Sequence, residues 1–167
     1  MKYHKILQPE EISIREKEDA MGSYLMMFAA LAIGLPFPSL NLIAAVIYYF
    51  INRSKGRFVH FHILQSLYSQ IPTSLLNIGF VAWIIRMIVN DNFHFSDFFL
   101  GYLLLTATVN LTYIVFSIIA AVKARKGQMY YFMVIGELAF KQAYKMTKNT
   151  ETKNPENKAP KSLTEIH

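Results

Sequence analysis

Cysteine is absent from the 167-residue sequence. That absence excludes disulfide frameworks, thiolate zinc sites, iron–sulfur clusters and cysteine nucleophiles together, and it leaves the redox compartment open. Charge is also scarce, at 17% against 53% hydrophobic residues, a balance tilted away from ordinary soluble domains. Nearly all the charge sits in residues 1–19, in two short loops and in the tail after Lys141, so the stretch between is far more apolar than the average suggests. No Gly-rich phosphate loop, serine elbow, His-Glu-x-x-His run or paired-carboxylate pattern occurs. The sequence therefore assigns no catalytic, cofactor-binding or metal-ligating residue, and the chain is read as non-enzymatic. Residues 1–20 lack a continuous apolar core and a small-residue cleavage site, so they do not read as a signal peptide and the later segments are expected to direct insertion.

What is present is a series of apolar segments. Gly22 to Ile51 is apolar but is broken by Leu35-Pro36-Phe37-Pro38-Ser39, and two prolines that close interrupt a helix. Each half is about 14 residues, roughly 21 Å of helix against a hydrocarbon core of about 30 Å. This favours two short helices, 22–35 and 38–51, forming a hairpin that dips into or barely crosses a bilayer, with one long kinked span as the competing reading. A long helix is expected over 58–89 and another, free of charge, over 98–122. The intervening Asn90 to Asp97 has two acids and no Lys or Arg, whereas Arg53 to Arg57 and Lys123 to Lys126 are basic. The positive-inside rule then puts both basic loops in the cytoplasm, and the hairpin reading puts both termini there too. Residues 129–145 suit an interfacial or re-entrant helix in which Glu137 is supported by Lys141 four residues later. Residues 146–167 read as a disordered cytoplasmic tail. The whole is an all-α integral membrane protein: 1–20 an N-terminal cytoplasmic segment, 21–145 a small helical bundle, 146–167 the tail, expected in the cell's plasma membrane.

The formal charge of +6 does not point to nucleic acid, because the basic residues flank apolar spans and form no aromatic-interleaved patch. The partners expected are the lipid bilayer and, through it, other proteins or further copies of the chain. His60 and His62 lie two apart, and on a helix they diverge by about 200°, so one metal ion is not shared between them. Arg86 lies across the helix from the polar residues, near its outer end, and suits snorkelling to the interface.

Two polar stripes are the candidate functional positions. On the first long helix His62, Gln65, Ser66, Ser69, Thr73 and Asn77 gather on about one third of the circumference, with Gln70 nearby. On the second, Tyr102, Thr106, Asn110, Tyr113 and Ser117 recur at spacings of three and four. Polar side chains avoid lipid, so the stripes are expected to face each other, either as hydrogen-bond glue or as the lining of a hydrated channel or transporter path.

The run Phe58-Val59-His60-Phe61-His62-Ile63-Leu64-Gln65-Ser66-Leu67-Tyr68-Ser69-Gln70 follows a basic loop. It resembles a signature of small, mostly uncharacterised bacterial membrane proteins related to the twenty-kilodalton Tic subunit of the chloroplast inner-envelope import translocon. A second landmark, Ala124-Arg125-Lys126-Gly127-Gln128 followed by Tyr130, Tyr131 and Phe132, looks like that family's exit from its last span. This Tic-twenty-like resemblance covers about residues 20–140. It implies a multi-span protein acting through partners or self-association, with His62, Gln65 and Gln70 at the family's polar positions. His60 and Met133 depart from it, standing where relatives tend to carry an acid and a proline.

Overall fold

The computed structural model describes residues 3–28, 39–90 and 95–145. Among these residues five α-helices follow one another: α1 (Ile14–Leu25), α2 (Ser39–Asn52), α3 (Arg57–Val89), α4 (Asp97–Arg125) and α5 (Met133–Tyr144). Short 3-10 turns occupy Pro9–Glu11 and Met26–Phe28. Among the described residues the only extended pairing is an isolated bridge between Tyr3 and Lys145. Two of the helices, α3 and α4, are long and apolar enough to cross a membrane.

Local chemistry accounts for the boundaries. The first helix starts at Ile14, not at residue 22, because Ser13 and Glu16 form a capping box in which the Ser13 hydroxyl accepts the Glu16 N–H. Two acids of the expected N-terminal cytoplasmic segment pair with the basic loops. Asp19 pairs with Lys55 at 2.6 Å and Glu18 pairs with Arg125. At its N-terminus α4 is capped by Ser96, whose hydroxyl accepts the Phe99 N–H at 3.3 Å, and Lys123 and Arg125 complement its C-terminal dipole. It ends in a Schellman turn: Gln128 N–H donates to the Lys123 carbonyl and Gly127 N–H to that of Ala124, each at 2.9 Å.

That turn holds Gly127 at φ +74°, and a Cβ there would stand 2.8 Å from Lys17 Cε and 3.1 Å from Pro9 Cα. A left-handed backbone costs an L-residue about 1–2 kcal/mol. Gly127→Ala is therefore expected to lower stability by about that amount or more, read as a reduced unfolding midpoint in detergent, and an unchanged midpoint would mean that the turn relaxes freely.

The long helices run antiparallel, and their two halves have different surroundings. In α3, Phe58, Val59, Phe61, Ile63 and Leu64 are all 2% exposed or less, enclosed by the shorter helices. Beyond Pro72, Leu75, Ile78, Ile85 and Ile88 are exposed, and α4 is the described neighbour. On one side Ala20 and Tyr24 of α1 meet Ala120, Ala121 and Ala124 of α4, small residues that allow close approach. On the other side Ala139 and Tyr144 of α5 pack on Phe61 and Leu64. In the exposed half the helices are joined by Phe80 stacked on Phe99 and by Tyr102 donating to the Leu76 carbonyl at 2.8 Å.

Three features expected from the sequence fall partly or wholly outside the described residues: the Leu35–Ser39 break, half of the acidic 90–97 loop, and the 146–167 tail. On either side of the first, α1 and α2 lie together, with Tyr48 Oη donating to the Asp19 carbonyl at 2.8 Å. The C-terminal helix begins at Met133 and not at 129 because the preceding backbone is held in another conformation, as described next.

Candidate functional site

The polar residues of α3 and α4 form three levels along the helix pair. The two stripes face each other directly at the level furthest from the short helices. Asn77 Nδ2 donates to Asn110 Oδ1 at 3.0 Å, and Asn110 Nδ2 donates to Asn77 Oδ1 at 2.9 Å. Each amide uses its second N–H on the carbonyl one turn back, Thr73 and Thr106 respectively, both at 2.8 Å. The donors are thus fully used and the amide pair closes the space between the helices at this level.

At the middle level Ser66, Ser69, Gln70 and Ser117 surround the Tyr113 hydroxyl. Ser66 donates to the Ser23 carbonyl and Ser69 to the Ser66 carbonyl, while Gln70 reaches Ser66 only at 3.5 Å. Gln70 Oε1, Tyr113 Oη and Ser117 Oγ are buried and make no hydrogen bond, and one level away the same holds for Thr106 Oγ1.

The third level is the best connected. His62 and Gln65 are both 0% exposed. Gln65 Nε2 donates to Tyr24 Oη at 2.9 Å and to the Tyr130 carbonyl at 2.7 Å, and its Oε1 accepts the Phe132 N–H at 3.2 Å. Tyr24 Oη also bonds His62 Nδ1 at 2.9 Å. Tyr24 Oη accepts from Gln65 and either donates to His62 Nδ1 or accepts a second proton from it, according to the imidazole tautomer, and His62 Nε2 is buried without a partner. Gln65 thereby substitutes for a β-ladder partner. It satisfies the extended backbone on both sides of Tyr131, which is why helix α5 starts only at Met133. The approach requires a glycine at 136, where a Cβ would stand 2.9 Å from Gln65 Oε1.

Along α5 the charged side chains are exposed. Glu137 and Lys141 pair at 2.5 Å with both side chains exposed, which lowers the carboxyl and raises the ammonium from their ordinary values through the hydrogen bond. Burial pushes the Tyr144 phenol up to about 12. His60 bonds the Arg53 carbonyl at 3.2 Å and meets the Tyr49 ring edge-on, and Arg86 sits exposed in the last turn of α3 beside Trp83.

Every residue singled out from the stripes (His62, Gln65, Ser69, Gln70, Asn77, Thr106, Asn110, Tyr113) lies between helices, but they do not form one cluster. The members that sequence reasoning missed are Ser23, Tyr24 and the backbone of Tyr130 and Phe132. A tyrosine five residues beyond a charged run carries no periodic signal, and backbone partners have no sequence identity.

A cavity of about 520 Å³ opens beside the middle level. Its inner wall is Ser69 and Tyr113, one flank is the outward face of α4 from Thr108 to Phe116, and the other is Tyr130 to Ile135.

Residues 19–139 match the model of the MamF/MmsF family, the magnetosome magnetite crystal formation protein family. No curated protein and no solved structure matches the chain. The match corrects the Tic-twenty-like resemblance, because the two families are distinct. The residues that carried that resemblance, Phe58 to Gln70, are the ones most enclosed by other helices. Their pattern of large apolar residues with a buried His and Gln describes how the helix packs.

Proposed function

We propose, for a chain that belongs to the magnetosome magnetite crystal formation protein family, that it is a non-enzymatic integral membrane component of crystal formation acting through protein partners or self-association. The observation that carries this reading is the extent of the match, 19–139, which takes in α2, α3 and α4 whole and most of α1 and α5. In this reading α3 and α4 cross the bilayer, and the basic loops at 53–57 and 123–126 face the cytoplasm. The ion pairs Asp19–Lys55 and Glu18–Arg125 tie α1 to both basic loops, which supports a cytoplasmic N-terminus and a returning hairpin over 22–51. The bridge from Tyr3 to Lys145 supports a C-terminal segment on the same side. Met133 and Ile135 border a cavity with Thr108 and Thr112, so α5 is better read as re-entrant than as lying flat on the surface. Extended backbone at that depth is tolerated only when protein groups satisfy it, and Gln65 supplies them.

The polar stripes act as glue in this reading. A hydrated path between α3 and α4 is disfavoured by the Asn77–Asn110 pair, which uses its amide groups on protein partners.

Deleting the gene in its magnetosome-forming host is expected to reduce magnetite crystal size, measured by electron microscopy, with recovery on re-expression of the intact chain. A tagged chain is expected to fractionate with magnetosomes. Crystals of unchanged size and number, with the tagged chain absent from that fraction, would overturn the proposal.

A further inference from the structure

We propose that the seam between α3 and α4 holds a bound internal water, seated at the middle level among Ser69, Gln70, Tyr113 and Ser117. Along the helix pair the site is closed in both directions. Outward, the Asn77 and Asn110 amides bond each other and the carbonyls of Thr73 and Thr106. Inward, Gln65, Tyr24 and His62 are joined through the Tyr24 hydroxyl. Ser69, Gln70 and Ser117 are each 5% exposed or less, and the Tyr113 hydroxyl is buried among them, shielded from the groove that its ring borders. Folded proteins leave few buried polar atoms unpaired, and each one calls for a physical account. Three of them, Gln70 Oε1, Tyr113 Oη and Ser117 Oγ, meet at this one level.

The bonding needs of these groups select the ligand. Ser66 spends its proton on the Ser23 carbonyl, so towards Gln70 it can only accept. That fixes the Gln70 amide with Nε2 towards Ser66 and leaves Oε1 as an unused acceptor. Ser69 spends its proton on the Ser66 carbonyl, so beside the Tyr113 hydroxyl its oxygen is an acceptor too. Tyr113 Oη and Ser117 Oγ each keep a proton to give. A serine can turn to a carbonyl of its own helix, but a tyrosine hydroxyl and a glutamine side-chain carbonyl have no such local recourse. Two donors and two acceptors are the complement of one water molecule, and a buried water makes about three such bonds, within a range of two to four. A cation would leave both protons unused, an anion would face two acceptor oxygens, and an acyl chain would engage none of the four groups. The water belongs to the helix pair itself, and its presence does not depend on the role in crystal formation.

The test is radiolytic hydroxyl-radical labelling of the full chain in nanodiscs of phosphatidylcholine and phosphatidylglycerol, read residue by residue by mass spectrometry. Radicals generated from a bound water oxidise the side chain beside it. Tyr113 is therefore expected to be labelled although its hydroxyl is buried, while Tyr24, buried but partnered by Gln65 and His62, stays unlabelled. After rapid mixing into oxygen-18 water, the heavy isotope should enter oxidised Tyr113 later than oxidised Tyr3, which is exposed near the N-terminus. Gln70→Leu, which removes one acceptor and places a methyl group in the site, should lower Tyr113 labelling about tenfold, the effect of losing one hydrogen bond to the water. Ser117→Ala removes only one donor hydroxyl from a helix, so it should lower labelling in the same direction with helicity retained, and it decides the matter alone if Gln70→Leu does not fold. A Tyr113 as silent as Tyr24 would overturn the proposal, as would labelling undiminished by removal of either group. Oxygen-18 entering Tyr113 as fast as Tyr3 would also overturn it, in favour of an open hydrated path between the helices.

Discussion

Gln65→Leu is expected to lower the unfolding midpoint in mild detergent by about 10 °C. The side chain is fully buried and makes bonds to Tyr24, to the Tyr130 carbonyl and to the Phe132 N–H. Leucine fills a similar volume, so the loss is of hydrogen bonds and not of packing. Each buried group left unpaired costs about 1–3 kcal/mol. Tyr24 retains His62, so most of the loss falls on the two backbone groups, for a total of about 3–4 kcal/mol. In a chain of this size 1 kcal/mol moves the midpoint by about 2–4 °C. The damage should also be local. Released from Gln65, α5 lifts from Phe61 and Leu64, and trypsin should cut faster at Lys141 and Lys145 than in the parent chain. A midpoint shift below about 3 °C, or a full shift with unchanged trypsin cleavage, would place the anchor of the fold-back segment elsewhere.

The second large effect concerns the amide pair. Asn77→Leu and Asn110→Leu should each cost about 1.5–2 kcal/mol, since each removes two reciprocal bonds and leaves one amide facing an apolar neighbour. The double variant should cost clearly less than the sum, because two leucines meeting at that level leave nothing unpaired. The non-additivity expected in denaturant titrations of all four chains is about 1 kcal/mol or more. Strict additivity would show that the two side chains do not depend on each other. A double variant less stable than the sum would point to water-mediated roles at this level.

The contrast between these two sites explains how much the sequence discloses. Asn77 and Asn110 lie on stripes that repeat every three or four residues, and a periodic stripe on an otherwise apolar helix has to face another helix, so their meeting was legible. Gln65 lies on the same stripe, and its burial was legible for the same reason. Its partners were not. Two are main-chain atoms 65 and 67 residues downstream, which no residue type announces. The third, Tyr24, falls in the sequence reading on the apolar side of a boundary after residue 20, whereas one helix, Ile14–Leu25, carries it together with Glu18 and Asp19, which pair with Arg125 and Lys55. The capping box at Ser13 and Glu16 was available in the sequence and would have placed the first helix correctly, had it been weighed against that charge. The family was misread for a related cause. Phe58 to Gln70 looks distinctive because it is enclosed, and enclosure selects the same residue types in many small bundles.

The spacing of Gln65 from its partners also has a consequence for biosynthesis. At about 5–20 residues per second, Phe132 leaves the ribosome roughly 3–13 s after Gln65. Tyr24 is already made and can take one amide proton at once, but the Gln65 carbonyl and its other proton must wait through the synthesis of the whole of α4. For that interval the nascent chain holds an incompletely partnered amide between its two longest helices, and α4 can still shift against α3. Arrival of residues 130–132 ends the interval, so a segment made after both long helices is the one that locks their register.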